Sequence, residues 1–148
     1  MTLDFSLPPD LEALQEKARA IAEEGVKEFG VYNDSWINGY SKEFSKILAS
    51  EGWIGMTWPK QYGGRERSHL ERYVMTEEFL VAGAPTKAHF TADRQSGPVL
   101  LKYASESLKH KILPAITRGE CSFAIGMSEP DSGSDLFAAK TKAEKCDR

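Results

Sequence analysis

The chain has 148 residues, a 41% hydrophobic fraction and a formal net charge of −3, which suits one globular domain with a real core. This acidic balance argues against nucleic-acid-binding proteins, which present a clustered basic surface. Apolar residues nowhere run together for roughly the 18 positions that a membrane-spanning helix needs.

The first predicted helix begins at Pro8 and Pro9 and ends at Gly30. Proline suits the opening turn of a helix, and Asp10 places a negative charge at its positive end. Apolar residues then recur at spacings of three and four, at Leu11, Leu14, Ala18, Ile21, Ala22 and Phe29. This spacing predicts an amphipathic helix with one buried stripe.

A second helix is predicted from about Ser41 to Ser50, and Gly52 closes it. Its buried face carries Phe44, Ile47 and Leu48. Residues 53–64 hold too many Gly, Pro and aromatic residues for a helix. They are predicted to form an ordered loop that Trp53, Met56 and Trp58 attach to the core.

Three further helices are predicted before residue 120. The third covers Ser68 to Val81 and is broken by residues 82–85. The fourth begins near Pro85 and reaches Tyr103, with a kink or restart at Pro98. The fifth covers residues 105–117, with Ser105 as its cap and Pro114 expected to bend it or end it early.

After Gly119 the sequence period changes from helical to alternating. Residues 121–127 form a short apolar run, and residues 138–145 alternate small or apolar with polar side chains. These segments are predicted to be the first two strands of a β domain that the chain does not complete. The predicted division is therefore a helical domain at residues 1–120 and the beginning of a β domain at residues 121–148.

The most informative motif is the decapeptide Gly-Met-Ser-Glu-Pro-Asp-Ser-Gly-Ser-Asp at residues 126–135. It follows a predicted strand, and Gly133 is expected to permit a turn that other residues avoid. The hydroxyls of Ser128, Ser132 and Ser134 and the intervening N–H groups can converge on a phosphate or pyrophosphate. The alternative is an ordinary surface turn of small polar residues.

Three segments carry a family resemblance. The decapeptide, extended to Ala138, resembles the first signature of the acyl-CoA dehydrogenase family. Residues 53–64 resemble its Gly-Trp…Pro-x-x-Tyr-Gly-Gly segment, and residues 109–120 resemble its Lys-x-x-x-Leu-Pro-x-x-x-x-Gly-Glu lead-in to the flavin strand. The order and spacing of the three motifs identify the chain as a member of this family.

The resemblance implies a mainly α fold, with an N-terminal helical bundle followed by the first strands of a truncated β-barrel domain. In the family a second helical bundle follows, so the whole enzyme is roughly two and a half times this length. The implied activity is FAD-dependent α,β-dehydrogenation of an acyl-CoA thioester in fatty-acid or related lipid metabolism. Electrons then pass to an electron-transferring flavoprotein. A homo-oligomer (dimer or tetramer) is expected, and a hetero-oligomer is possible.

The resemblance assigns six residues to FAD binding: Ile125, Gly126, Met127, Ser128, Gly133 and Ser134. Residues 125–127 match the strand beside the isoalloxazine ring, and Ser128 matches a hydroxyl at the pyrimidine edge. Gly133 and Ser134 match the turn that holds the pyrophosphate, and Ser134 also matches a contact to the CoA portion of the substrate.

The fourth helix lines the acyl pocket in the family, which makes Phe90 and Arg94 candidate substrate contacts. The polar block at residues 93–98 could form a wall for an unusual acyl group or help to place FAD in a partner subunit. The alternative for Arg94 is an intrahelical pair with Asp93.

The other titratable side chains are expected to have no catalytic role. The three histidines, at positions 69, 89 and 110, lack a partner spacing and are expected to be structural or exposed. Glu77 and Glu78 are expected on a solvated face. The two cysteines, Cys121 and Cys146, suggest neither a disulfide framework nor a metal site. With no signal-peptide pattern visible at residues 1–6, they favour a reducing cytoplasm.

The family's catalytic base lies in the C-terminal helical domain, so no catalytic residue is predicted in this chain. The 148-residue chain alone is therefore expected to be inactive. Two alternatives stay open at this point. One is an acyl-CoA oxidase or another flavoenzyme of the same fold, and the other is a non-catalytic helical subunit or interaction module.

Overall fold

A computed structural model of the chain describes residues 6–145. Its α-helices are α1 Pro9–Phe29, α2 Lys42–Ser50, α3 His69–Ala82, α4 Lys87–Thr91, α5 Gly97–Tyr103 and α6 Glu106–Thr117. A π-helical turn at Ala92–Ser96 joins α4 to α5, and short 3₁₀ turns lie at Lys60–Tyr62 and Leu136–Ala138. None of the helices in this part of the chain has the length and apolar character that a membrane crossing requires.

The helix boundaries confirm two predicted signals, the stop at Gly30 and the cap at Ser105, whose hydroxyl accepts the N–H of Leu108 at 3.3 Å. Gly30 ends α1 with φ of 92°, in a region of backbone space that favours glycine. The Ser41 hydroxyl accepts the N–H of Phe44 at 3.0 Å and starts α2. Ser68 and Glu71 form a reciprocal capping box that starts α3.

The core lies between α1, α2 and α3 and is rich in aromatic rings. The Phe44 ring meets the Phe79 ring edge to face at 5.9 Å, and Trp53 lies 5.7 Å from Phe79. Small residues on α1, among them Ala18 and Ala22, are fully buried where this helix approaches its neighbours. The predicted apolar stripe of α1 therefore packs as expected.

One expectation about α3 was wrong. Glu78 is buried rather than solvated, and its carboxylate accepts two hydrogen bonds from the Arg19 guanidinium, at 2.9 and 3.1 Å. This ion pair joins α3 to α1 and lowers the pKa of Glu78. Glu77 is exposed, as expected, and accepts a hydrogen bond from Tyr73. Sequence periodicity did not reveal the pair because its members are 59 positions apart.

The loop at residues 53–64 is ordered, as predicted. Trp53, Met56 and Trp58 are almost completely buried. Backbone N–H groups of residues 65–67 donate to carbonyls of Met56 and Trp58 and hold the loop against the body of the domain. The loop therefore behaves as part of the core.

The fourth predicted helix restarts near Pro98, as expected, and the π-helical turn shows how. Gly97 donates its N–H to the carbonyl of Ala92, five residues back. A proline has no N–H and crowds the carbonyl four residues before it, so a widened turn ahead of Pro98 relieves both problems. By contrast, α6 does not end at Pro114. Its neighbours Leu113 and Ile116 are fully buried, so packing maintains the helix to Thr117.

The two predicted strands do not form in residues 121–145. The regular pairing there is a single bridge between Glu129 and Ser132. A strand needs a neighbouring backbone to accept and donate its hydrogen bonds, and these two segments do not pair with each other. The prediction of the first strands of a β-barrel is thus wrong for residues 121–145, whereas the prediction of a mainly helical fold is confirmed.

Candidate functional site

A groove on the surface brings one part of the signature segment against the helical body. Its first wall is the connection between α1 and α2, and its second wall is the outer face of the α4 region. Residues 122–127 form the third wall, so Ile125 and Met127 line the groove. Its volume is about 570 Å³. Such a site is concave and largely apolar, as small-molecule sites usually are.

The connection between α1 and α2 holds aromatic side chains in the groove. Tyr32 donates its N–H to the Gly83 carbonyl at 2.9 Å, and Lys87 donates to the Gly39 carbonyl at 3.0 Å. Close packing of Gly39 on Pro85 leaves no room for a side chain at position 39. These contacts fix the wall from which Trp36, Ile37 and Tyr40 face the groove.

Opposite this wall, Lys87, Thr91 and Gln95 follow one another at intervals of four residues. This spacing puts them on one helical face. They supply the groove with polar groups, while Ile125 and Met127 remain 48% and 69% exposed. The groove therefore combines an exposed apolar surface with a polar edge.

The decapeptide continues away from the groove as a tight exposed loop. Glu129 and Ser132 exchange two backbone hydrogen bonds, at 2.8 and 3.1 Å, around Pro130 and Asp131. The Glu129 carboxylate accepts the N–H groups of Lys140 and Thr141 at 2.8 and 2.7 Å, and also the Thr141 hydroxyl. These bonds lower the pKa of Glu129 and close residues 129–141 into a compact loop.

Gly133 corrects one expectation about this loop. The described glycines with positive φ are Gly30, Gly52, Gly55, Gly63, Gly83 and Gly119. The backbone of Gly133 therefore lies in a region open to other residues. A methyl group at Gly133, or at Gly126, would meet no other atom within 4 Å.

The donors of this loop fit a phosphate-bearing cofactor. Gly133 and Ser134 are exposed, and their N–H groups have no acceptor in residues 6–145. Ser132 is buried, and its hydroxyl also lacks a partner among the described residues. Free N–H groups beside an unpartnered hydroxyl suit an anion such as a pyrophosphate. Ser128 is exposed and lies between this loop and the groove in sequence.

The structure does not bring Phe90 and Arg94 into the groove with residues 125–127. The Phe90 ring lies 5.8 Å from the Trp36 ring and 5.8 Å from the Arg94 guanidinium carbon. Arg94 donates to Asp93 at 2.9 Å and also to Thr76. The intrahelical pair weighed from the sequence is therefore present.

Asp93 is a buried polar anchor next to this pair. Its carboxylate accepts the Gly55 N–H at 2.8 Å and so ties the π-helical turn to the loop at residues 53–64. Burial raises the pKa of Asp93, and the Arg94 charge opposes that rise. His89 is also buried, and its Nδ1 lies 2.8 Å from the Ser45 hydroxyl. Burial lowers the pKa of His89 to about 3, so the ring is neutral.

The remaining titratable groups are peripheral. His69 and His110 are exposed, and the ring of His110 lies 5.1 Å from the Tyr62 ring. Cys121 is a free, half-buried thiol, whereas Cys146 lies outside the described residues. Within residues 6–145 no group of three or more His, Cys, Asp or Glu side chains is placed to hold a metal ion.

Sequence reasoning missed the aromatic wall and the role of Glu129. Trp36 and Tyr40 stand four residues apart in a polar connection, and exposed aromatic residues in such a segment were the available signal. No local pattern predicts that Glu129 reaches backbone groups eleven and twelve positions later.

Comparisons with known proteins identify relatives that share the helical fold. The family model for the N-terminal domain of acyl-CoA dehydrogenases matches residues 8–120. The acyl-CoA dehydrogenase FadE26 of Mycobacterium tuberculosis is 36% identical over 113 residues, which are 76% of this chain and 28% of that protein. The chain thus spans little more than a quarter of that relative.

Two solved structures share the fold over nearly the whole chain. The Tcur3481-Tcur3483 steroid ACAD has a TM-score of 0.79 at 36% identity, over 95% of this chain and 37% of that one. The ChsE4-ChsE5 complex from Mycobacterium tuberculosis has a TM-score of 0.76 at 30% identity, over 94% of this chain and 35% of that one.

Proposed function

This chain belongs to the acyl-CoA dehydrogenase family, and we propose that it is the N-terminal part of an FAD-dependent acyl-CoA dehydrogenase. The observation that carries the proposal is the decapeptide loop, whose free donors follow directly on the groove-lining residues 125–127. The proposed reaction is the α,β-dehydrogenation of an acyl-CoA thioester. Its expected setting is fatty-acid or related lipid metabolism in the cytoplasm.

In this proposal the chain holds the cofactor and supplies no catalytic base. The backbone of residues 125–127 and the Ser128 hydroxyl would lie against the flavin, and Gly133 and Ser134 would hold the pyrophosphate. FAD, when bound, supplies the acceptor for the two electrons removed from the substrate. Ser134 is also the proposed contact for the CoA portion. The base is expected outside these 148 residues.

A double substitution in the decapeptide loop tests the cofactor proposal. The full gene product that contains this chain is expected to purify with bound flavin, and Gly133→Ala combined with Ser134→Ala is expected to lose most of it. The added methyl group meets no protein atom, so a loss would report on the ligand. Ser107→Ala, on the exposed face of α6, is the matched control. Equal flavin content in all three proteins would remove the loop from the site.

The isolated chain gives a second test. The 148-residue polypeptide is expected to be strongly helical by circular dichroism and to bind FAD weakly or not at all. The reason is that the chain spans 28% and 37% of two relatives, and half of the flavin envelope is expected outside it. Tight stoichiometric flavin binding by the isolated chain would contradict this division of roles.

Phe90 and Arg94 remain proposed substrate contacts. Phe90→Ala is expected to shift the ratio of kcat/KM between short and bulky acyl-CoA substrates, because an added or lost methylene in an apolar pocket changes specificity by roughly 10- to 200-fold. A uniform loss with all substrates and a lower Tm would instead make Phe90 a packing residue between Trp36 and Arg94.

The electron acceptor separates the proposal from its alternative within the family. An electron-transferring flavoprotein is the proposed acceptor, and O₂ would be the acceptor in an acyl-CoA oxidase. Comparing the turnover of the purified enzyme with a flavoprotein acceptor and with O₂ alone distinguishes these reactions. Rapid turnover with O₂ alone would favour the oxidase.

A hetero-oligomer is a second candidate arrangement beside the proposed homo-oligomer, and the names of two structural relatives support it. Both structural relatives are two-component assemblies by name, and one of them is a steroid ACAD. The chain would then pair with a second acyl-CoA dehydrogenase polypeptide and act on a bulky acyl-CoA. Co-expression with neighbouring genes of the same family, followed by mass measurement of the intact complex, tests this arrangement. A stable assembly of one polypeptide that turns over acyl-CoA would exclude it.

A further inference from the structure

A second groove lies between the first turns of α3, the loop at residues 57–59 and α5. It has a volume of about 510 Å³ and presents four basic side chains, His69, Arg72, Arg94 and Lys102. Trp58 and Leu101 contribute an apolar floor. None of the residues that line this groove is acidic. We refer to it as the cationic groove.

The cationic groove has more basic side chains than nearby carboxylates to neutralise them. Asp93 is the carboxylate paired with Arg94, at 2.9 Å. Arg72 lies close enough to both groups to affect their pKa values. Its positive charge lowers the pKa of Asp93 and so opposes the rise caused by burial. The same charge adds to the effect of burial, which lowers the pKa of Arg94. Two guanidinium groups therefore lie near one carboxylate. Lys102 also lines the groove, with its amine 5.0 Å from the centroid of the Tyr103 ring.

Trp58 gives an independent sign of a missing acceptor. Its side chain is only 2% exposed, and its indole N–H has no hydrogen-bond partner in residues 6–145. The ring cannot easily turn away, because Gly55 and Gly97 pack directly against it. Buried donors in native proteins are nearly always paired, so an unpaired one in the wall of a groove indicates a ligand or a bound water.

The basic side chain of Arg72 is oriented but not neutralised. Its guanidinium lies 3.0 Å from Nδ1 of His69, which holds it at the mouth of the groove. Guanidinium groups recognise carboxylates and phosphates through paired N–H donors. The apolar floor of Trp58 and Leu101 extends this recognition to an organic molecule.

We propose that the cationic groove binds an organic anion, in which an oxyanion headgroup meets Arg72 and Arg94 while an apolar body lies on Leu101 beside Trp58. The headgroup is a carboxylate or a phosphate, since both accept from two guanidinium groups. The proposal shares Arg94 with the proposed substrate contacts, but its test uses neither flavin nor acyl-CoA, so either proposal can fail while the other stands.

The indole N–H of Trp58 provides the readout. The chain has three tryptophans, so an ¹⁵N-labelled sample has three indole signals, and Trp58→Phe identifies the relevant one. Hexanoate, inorganic phosphate and hexanol are titrated separately into the folded 148-residue chain. Hexanoate is expected to shift the Trp58 signal to saturation, phosphate to shift it with weaker affinity, and hexanol to leave it unchanged. Tighter binding of phosphate than of hexanoate would identify the phosphate as the favoured headgroup.

Charge-removing variants decide the outcome. Arg72→Gln is expected to weaken hexanoate binding by about tenfold or more, because a charge-assisted hydrogen bond is lost, and Lys102→Gln by less. Arg65→Gln removes an exposed guanidinium elsewhere and is expected to bind like the parent chain. Circular dichroism confirms folding of each variant. An equal response to hexanol, the absence of saturation, or undiminished binding by both Arg72→Gln and Lys102→Gln would overturn the proposal.

Discussion

The helical body at residues 9–117 and the segment at residues 121–145 differ in the interactions that stabilise them. In the helical body, backbone groups pair within each helix, and polar side chains such as Asp93 and Glu78 connect distant elements. In the later segment, most side chains are exposed, and order comes from a few contacts centred on Glu129. The segment with the most specific family motif is thus the one with the fewest stabilising contacts.

This difference follows from how the two kinds of element satisfy their backbones. A helix pairs its own N–H and carbonyl groups, so capping residues and an apolar stripe suffice to define it. A strand depends on a neighbouring strand, and alternation alone cannot supply one. The motif at residues 126–135 carries chemistry, and its chemistry requires exposed donors. We therefore expect substitutions to have large effects on stability in the helical body and small, local effects on stability after residue 120.

Removal of the Asp93 carboxylate should have the largest effect. Asp93→Ala leaves the half-buried Arg94 without its partner and removes the acceptor of the Gly55 N–H, so we expect a loss of about 3–5 kcal/mol in unfolding free energy. Asp131→Ala in the later segment removes an exposed pair with Lys140 and should cost less than about 0.5 kcal/mol. Urea unfolding measures both. Similar losses in the two variants would contradict the comparison.

Acidification should destabilise the helical body through His89. Its pKa is about 3 in the folded state, below the ordinary 6.5, so only the unfolded state takes up the proton between these values. Stability should therefore fall as the pH drops below about 6.5, by about 2.5 kcal/mol between pH 7 and pH 4.5.

The variant His89→Asn isolates this effect from the carboxylates that also protonate in acid. It keeps a polar group near Ser45 but does not titrate, so its stability should fall less steeply with pH. His110→Asn alters an exposed ring and should leave the slope as it is. Thermal unfolding at several pH values gives the slopes. Parallel curves for the parent chain and His89→Asn would refute this explanation.

Adding a methyl group to a glycine should lower stability in the helical body and leave it nearly unchanged in the later segment, because only the helical body is closely packed at that position. At Gly64 it would lie 2.1 Å from the backbone oxygen of Trp58, which cannot move without distorting the loop. Gly64→Ala should therefore cost about 1–3 kcal/mol. Gly133→Ala and Gly126→Ala meet no atom within 4 Å and should leave the Tm nearly unchanged. A substantial loss of Tm at Gly133 would mean that its loop packs more tightly than described.

The smallest expected effect concerns the loop closed by Glu129. Glu129→Ala removes the acceptor of two N–H groups, so the amides of Lys140 and Thr141 should exchange hydrogen roughly fivefold faster or more. The global Tm should hardly change, because the loop is exposed. Asp135→Ala is the control within the same loop. Unchanged exchange at both amides would show that Glu129 does not close the loop.

Part of the candidate site could be predicted from the sequence. The motif predicted one cofactor site over residues 125–134, and of these residues Ile125 and Met127 line the groove. The grouping of Trp36, Tyr40 and Gln95 with Ile125 was beyond sequence reasoning, since these residues come from three separate segments. Conversely, the fourth helix was expected to aim Phe90 and Arg94 at the substrate, and neither lines this groove.

The sequence by itself determined the helices, the stop at Gly30, the cap at Ser105 and the family, because these depend on local backbone preferences, an apolar period and contiguous motifs. It also determined that the loop after residue 126 would be polar and rich in donors. Only the tertiary structure decided that Glu78 pairs with Arg19, that α6 continues through Pro114 and that residues 121–145 lack paired strands. Each of these outcomes depends on which surfaces meet across long sequence distances, and local propensity carries no information about that.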